Sequence, residues 1–177
     1  GVPLGGGMLT LVFDQAIEKE LPSGIPGDWE SLVKVVAQLR KRSDGKSQNL
    51  QPFRLPLAKG WAAEIFLARV AASVRSRGHI STVFDRDDMR PLIDSKPFQI
   101  ALEDLKTLMG EDQSQLELTP AELFREIADG KTQLGITWPP SSDFDPSQTG
   151  TPEVSKIELA FASLPGSRTW FDNKTGQ

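Results

Sequence analysis

The chain has 177 residues, a mass of 19.4 kDa and a net charge of −4, so it is long enough for one well-buried domain. The acidic balance argues against nucleic-acid binding, which depends on a clustered basic excess. The absence of cysteine excludes disulfides, thiolate nucleophiles and cysteine metal sites.

The first half of the chain predicts one strand followed by helices. An apolar run over residues 8–13 is typical of a strand. Asp28 is a suitable N-cap for an amphipathic helix that begins at Trp29, whose indole we expect to lie buried beneath its own helix. Residues 57–77 are apolar on most sides of a helix, which predicts a largely buried helix that ends at Gly78.

The second half predicts two helices followed by two strands. Residues 96–109 form the first helix, and a capping box of Thr119 and Glu122 begins the second. Apolar runs at 133–137 and 156–166 predict the strands. The predicted buried face of the first helix comprises Phe98, Leu102, Leu105 and Met109.

This order of elements, with strands near both ends and helices between them, indicates an α/β layer architecture. Because the strands lie near the two ends of the chain, we expect the ends to pair in one sheet. No apolar run approaches the roughly 18 residues of a membrane span, and no signal peptide opens the chain. The basic run from Arg40 to Arg42 is placed to face the negative end of a helix dipole.

Candidate catalytic groups are few. His79, the single histidine, directly follows Gly78, which favours a capping or solvated role over catalysis. Asp85, Asp87 and Asp88 lack the central glycine of a calcium loop and more readily cap a helical turn. The glycines of "PLGGG" lack the lysine of a phosphate-binding loop. We therefore predict no catalytic residue, metal or cofactor, although a glycosidase pair could be hidden among 24 carboxylates.

The tryptophans are the most informative side chains. The chain has four tryptophans and no tyrosine. Trp138 follows a predicted strand, and ligands of open α/β sheets bind just beyond such strand ends. Trp61 follows Gly60 where a loop becomes a helix. A flat indole suits the apolar face of a sugar ring, but both rings are equally well explained as plugs of the core.

Several stretches, taken in order, resemble one known family. They are "VPLGGGMLTLVFDQAIEKE", "IPGDWESLVKVVAQL", "PFRLPLAKGWAAEIFLAR", "FDRDDMRPLIDSKPFQIALEDLKTL", "ELFREIADGKTQLGITWPP" and "IELAFASLPGSRTWFDN". The chain is similar to the extracellular solute-binding proteins of ABC transporters, in the family-1 or carbohydrate-uptake branch. The resemblance implies a type II periplasmic binding fold, helix-rich with a small mixed sheet. It also implies that residues 1–177 are a single domain and a fragment, namely the second, C-terminal-type lobe of a two-lobe protein.

The resemblance also implies a set of site residues. Trp138 matches the cleft aromatic after the strand, and Trp61 matches a cleft-facing aromatic, with Gly60 leaving room for ligand. Gln51 and Phe53 match a polar contact and a second stacking aromatic. The prolines of "TWPP" stand where some members have another aromatic, which argues against a long oligosaccharide platform.

The implied function is non-enzymatic binding of a sugar or similar small polar solute by hinge closure, so that an isolated lobe should bind weakly. The implied partner is a membrane permease of an ABC transporter. The implied location is periplasmic or extracellular, with a lipid anchor as one form of the full-length protein. Two alternatives remain open: a carbohydrate-active hydrolase fragment that uses a carboxylate pair, and a solute-sensing regulatory module.

Overall fold

The two ends of the described chain meet in a three-stranded antiparallel sheet. Its strands are β1 (Thr10–Asp14), β2 (Leu134–Thr137) and β3 (Leu159–Ser163), in the order β2-β1-β3. In this register Val12 lies opposite Gly135 on one side and Phe161 on the other. The expectation that strands from both ends pair is confirmed, and β1 is the central strand.

The computed structural model describes residues 8–21, 24–43, 50–74, 82–85, 88–139 and 157–171. The predictions made for "PLGGG", Gly78, His79 and Asp87 lie outside these residues. Within them the α-helices are α1 (Trp29–Ser43), α2 (Trp61–Ser73), α3 (Lys96–Met109) and α4 (Pro120–Ala128). Short 3-10 helices span Gln15–Glu20 and Gln113–Leu116.

A fourth segment lies beside β2, outside the three-stranded sheet. Gln51 pairs with Thr132, and Arg54 pairs with Gly135, both in parallel orientation. The backbone N–H of Arg54 donates to Leu134 O at 3.2 Å. The chain from residue 51 to residue 54 therefore runs alongside β2 through isolated parallel bridges, while the small predicted sheet is itself antiparallel.

Helix α1 forms as its sequence predicts. Asp28 caps it, since the carboxylate accepts a hydrogen bond from Ser31 N at 2.7 Å. Trp29 is fully buried at its start, and Leu32, Val36 and Leu39 continue the same buried face at helical spacing. This face and the strands β1 and β2 enclose the main core of the chain.

Helix α2 is less buried than predicted. Its apolar composition comes partly from alanines at exposed positions, including Ala63 and Ala71, and Leu67 is 41% exposed. The helix ends at Ser73 with an extended residue, Val74, as its C-cap. Alanine exposes little apolar surface and is tolerated in contact with solvent. An alanine-rich helix can therefore have an apolar sequence on every side and still bury only one face. The buried side chains are Ile65, Arg69, Val70 and Ser73.

The predicted buried face of α3 is partly wrong. Leu102 is 54% exposed, whereas Leu108 is fully buried. The helix has apolar residues on two adjoining stripes, and contact with α1 and α2 selects the stripe of Phe98, Ala101, Leu105 and Leu108. Gly110 ends the helix at φ 63°, as its position predicts.

Helix α4 carries the capping box expected from its sequence. The Glu122 carboxylate accepts a hydrogen bond from Thr119 N at 2.9 Å, and Glu122 N donates back to Thr119 Oγ1 at 3.4 Å. Pro120 occupies the first turn. On the inner face, Leu123 and Ile127 are fully buried against β1 and β2.

The basic run in the last turn of α1 also contacts a neighbouring helix. Arg40 Nη1 donates to Thr107 O at 2.7 Å, and Arg40 Nη2 donates to Leu108 O. These carbonyls belong to the last turn of α3, where a cation faces the negative end of the helix dipole. Burial lowers the pKa of Arg40, and the charge of Asp112 acts in the opposite direction. The basic run therefore lies in the last turn of α1, as predicted, and Arg40 also binds the last turn of α3.

Candidate functional site

Two indoles meet at the end of strand β2. The ring centroids of Trp61 and Trp138 are 5.0 Å apart, and their planes are inclined by 54°. Trp61 is 37% exposed, while Trp138 is half-buried and packs against the main core. The inclination leaves no parallel gap for a ring between them, so the pair forms a corner in which Trp61 presents most of the open aromatic surface.

Trp138 follows the last residue of a completely buried strand. All four residues of β2 are buried, and Thr137 Oγ1 donates to Pro120 O at 3.0 Å inside the protein. Because the strand cannot turn without breaking these contacts, the exit direction of the chain at Trp138 is well defined. Trp138 therefore packs against the main core and also contacts Trp61.

Trp61 is the first residue of α2 and is placed by the turn before it. Gly60 has φ 97° and ψ −31°, a conformation that other L-residues avoid. A Cβ added at Gly60 would meet no heavy atom within 4 Å. Trp61 N donates to Ala58 O at 2.9 Å and closes the turn. Gly60 is therefore needed for its backbone angle, and the space beside it is open.

Phe53 and Gln51 do not join the indole pair. Phe53 is 2% exposed within the main core, so its ring has no free face for a solute. Gln51 is exposed, but it pairs with Thr132 at the other end of the strand that leads to Trp138. At about 3.3 Å per strand residue, that end lies roughly 20 Å from Trp138. The structure thus assembles Trp61, Trp138 and Gly60, and it separates the other two predicted residues from them.

A buried arginine missed by the sequence analysis holds the segment before Trp61. Arg54 is 8% exposed, and its Nη1 donates to both carboxylate oxygens of Glu126, at 2.8 and 2.9 Å. Its Nε lies 3.1 Å from Asp112 Oδ2 as an ion pair, and its Nη2 donates to Ser114 Oγ. The signal in the sequence was weak, since it consists of one arginine between apolar residues in "PFRLP".

Three of the described carboxylates are partners of buried arginines. Glu126 and Asp112 bind Arg54, while Asp104 binds the buried Arg69. Within the part of the chain that the structure describes, no three His, Cys, Asp or Glu side chains gather as metal ligands. None of the described helices has the length and apolar character needed to cross a membrane.

Solved structures with this fold include several transport proteins. A solute-binding protein of an ABC transporter from Agrobacterium radiobacter K84, in complex with ribitol, has a TM-score of 0.65 and 18% identity over 90% of this chain. The maltose-bound MalE3 of T. maritima has a TM-score of 0.64 and 17% identity. A sugar transporter from Bacillus licheniformis in complex with stachyose has a TM-score of 0.59 and 16% identity over 91% of this chain.

The chain has the fold of one lobe of an ABC-transporter solute-binding protein. It spans 38% of the ribitol- and maltose-bound chains and 40% of the stachyose-bound chain. No protein-family model matches the sequence, and no curated protein matches it. The likeness therefore lies in the fold, and it agrees with the α/β lobe that the sequence motifs predict.

Proposed function

We propose that residues 1–177 form the second lobe of an extracytoplasmic sugar- or polyol-binding protein that delivers its solute to an ABC-transporter permease. The observation that carries this proposal is the indole pair of Trp61 and Trp138, which stands beyond the end of β2 with Trp61 partly exposed. Ligands of α/β sheets bind at such strand ends. The fold neighbours bound to ribitol, maltose and stachyose support a polyhydroxylated solute.

The proposed mechanism is closure of two lobes around the solute. An indole face covers the C–H surface of a sugar or polyol, while polar groups of both lobes take up its hydroxyls. A solute that contacts both lobes only in the closed state shifts the population toward that state. One lobe supplies part of these contacts, so the isolated chain should bind its solute weakly.

The same geometry favours binding over hydrolysis. A glycosidase needs two carboxyl groups on either side of a glycosidic bond, with one of them kept protonated. The carboxylates of Glu126 and Asp104 are instead occupied as hydrogen-bond acceptors of the buried arginines Arg54 and Arg69. We accordingly propose a non-enzymatic protein that functions outside the cytoplasm.

The test is the indole N–H spectrum of the chain during titration with ribitol, mannitol, maltose or stachyose. We expect at least one of these solutes to shift the Nε1–H resonances of Trp61 and Trp138 at millimolar concentration. Trp29, whose ring is fully buried under α1, is the internal control and should not shift. Absence of any shift with all four would contradict the proposed solute class, and release of monosaccharide would support a hydrolase instead. Micromolar affinity in calorimetry would contradict the single-lobe mechanism.

A further inference from the structure

The two segments that carry the indoles are hydrogen-bonded to one short connector. This connector, residues 115–120, runs from the second half of the second 3-10 helix to the first residue of α4. Its Gln115 O accepts from Leu57 N at 3.0 Å, and its Leu118 O accepts from Ala58 N at 3.1 Å. At its other end Pro120 O accepts from Thr137 Oγ1 at 3.0 Å. The segment before Trp61 and the strand before Trp138 are thus attached to the same piece of backbone.

The side chain of Gln115 adds to the contacts between the connector and the segment before Trp61. It is fully buried, and its Oε1 accepts a hydrogen bond from Leu55 N at 2.8 Å. Its Nε2 donates to Met109 O at 3.0 Å, which ties the connector to the end of α3. A buried amide whose donor and acceptor are both used holds its neighbours in one arrangement, because any shift leaves a buried polar group unpaired.

Thr137 forms the contact between the connector and the strand before Trp138. It is fully buried, and it immediately precedes Trp138 on β2. Rotation about the Cα–Cβ bond of a threonine is restricted. The hydrogen bond from the Thr137 hydroxyl to Pro120 O therefore also restrains the backbone that determines the orientation of the Trp138 indole. Ala58 acts similarly in the other segment, because its carbonyl accepts from Trp61 N at 2.9 Å and closes the turn that begins α2.

We propose that Thr137 and Gln115 are positioning residues that set the angle and separation of the Trp61–Trp138 pair through the connector. Neither side chain has to touch the solute. This inference deepens the proposed function by naming residues that orient the indole pair without contacting the solute. The relevance of that orientation to solute binding rests on the proposed function. The geometry itself can be measured without any solute.

The experiment measures the far-ultraviolet exciton couplet in circular dichroism that two closely spaced, inclined indoles produce. The variants Trp61→Phe and Trp138→Phe identify this couplet, since each should abolish the same signal. Thr137→Val removes the hydroxyl at nearly constant volume and should lose most of the couplet, whereas Thr137→Ser should retain it. Thermal unfolding of each variant separates a loss of pair geometry from a loss of folding.

The matched control is Thr132→Val, two residues before the start of the same strand. Thr132 is also fully buried, and its Oγ1 donates to Glu126 Oε2 at 3.1 Å. We expect Thr132→Val to lower the unfolding temperature and to leave the couplet intact. A purely structural role for Thr137 would make the two valine variants indistinguishable in the couplet, and this result would overturn the proposal.

A second variant covers the case in which Thr137→Val does not fold. Gln115→Met removes the bond between the connector and Leu55 N, and it should reduce the couplet in the same way. A full couplet in folded Gln115→Met would contradict the proposal, and so would the absence of any couplet in the unmodified chain. Failure to bind sugars would leave this result unchanged, so the two proposals can fail separately.

Discussion

The guanidinium of Arg69 on α2 lies 2.7 Å from the carboxylate of Asp104 on α3, although Arg69 is only 1% exposed. Its Nε also donates to the same oxygen of Asp104 at 2.8 Å, and its Nη1 donates to Ser73 Oγ. The guanidinium carbon stands 5.7 Å from the ring centre of Trp29. A buried cation on α2 is thus held by partners on two other helices.

Removal of Asp104 should therefore be costly. In Asp104→Ala the arginine charge stays buried without its main partner, and we expect a loss of about 3–5 kcal/mol in the free energy of unfolding. Urea denaturation followed by circular dichroism measures this loss. Lys131 and Asp129 provide the control, because their ion pair of 2.8 Å is exposed, with side-chain exposures of 66% and 55%. Lys131→Met should leave the denaturation midpoint unchanged within error. Equal effects of the two changes would contradict the assigned role of burial.

Phe53 should behave as a core residue and Trp61 as a site residue. Phe53→Ala removes a ring that is 2% exposed and should cost about 3–5 kcal/mol of unfolding free energy. Trp61→Ala should cost less, because 37% of that side chain is already exposed. In the folded Phe53→Leu variant, the indole resonance of Trp138 should still respond to the solute. If the folded Phe53→Leu variant no longer showed this response, Phe53 would have to be counted among the solute-binding residues.

Gly135 should not accept a side chain. A Cβ at this position would stand 3.1 Å from Arg54 O, Ile127 Cδ1 and Leu123 Cδ2, and the backbone oxygen cannot move away without breaking the sheet. We expect Gly135→Ala to lose about 1–3 kcal/mol by overpacking. Gly27→Ala is the control, since a Cβ there meets nothing within 4 Å, and it should change stability by about 0.5 kcal/mol or less. Thermal unfolding would show the difference, and equal midpoints would argue against the close packing of α4 on β2.

The contribution of Asp28 should depend on pH. Burial raises the pKa of Asp28, but hydrogen bonds from Arg168 and Ser31 outweigh burial and leave the pKa below its ordinary value of 3.8. Because the folded state has the lower pKa, its stabilising effect is complete above the unfolded value and is lost as the pH falls through the folded one. Asp28→Asn keeps an N-cap acceptor and removes the charge.

The stability difference between the unmodified chain and Asp28→Asn should accordingly be constant near neutral pH and shrink in acid. Arg168→Gln is the companion variant, because Arg168 Nε donates to Asp28 Oδ2 at 2.7 Å and is the largest cause that lowers the pKa of Asp28. It should reduce the same acid-sensitive contribution. A difference that grows as the pH falls would show that the sign of the pKa shift is wrong.

Features encoded by neighbouring residues could be predicted, and features that depend on distant partners could not. The cap of Asp28 and the capping box of Thr119 involve residues within one turn, so the sequence is sufficient for both. Leu102 was misplaced because α3 has two apolar stripes, and only its contacts with other helices decide which is buried. Arg69 was missed for a related reason, since its charge partner Asp104 lies on another helix.

In the candidate site, too, local features could be predicted from the sequence and contacts between distant residues could not. Trp138 could be predicted because it directly follows an apolar strand, and Trp61 because it follows a glycine at a helix start. Their mutual contact depends on the packing of α2 beside β2, which the sequence does not show. Gln51 was misplaced for the same reason, because its neighbour Thr132 belongs to a remote segment. The structure therefore brings Trp61, Trp138 and Gly60 together and places Gln51 and Phe53 apart from them.

The pairing of β1 with β2 and β3 determines when this sheet can form during synthesis. β1 is made near the start of the chain, but both of its partners are translated near the end. Until then Leu11, Val12 and Phe13, all buried in the finished sheet, have no strand beside them. On the ribosome the helices can assemble early. The apolar segment of β1 stays unpaired until β2 and β3 have been translated, and during that time it is a potential site of aggregation or chaperone binding.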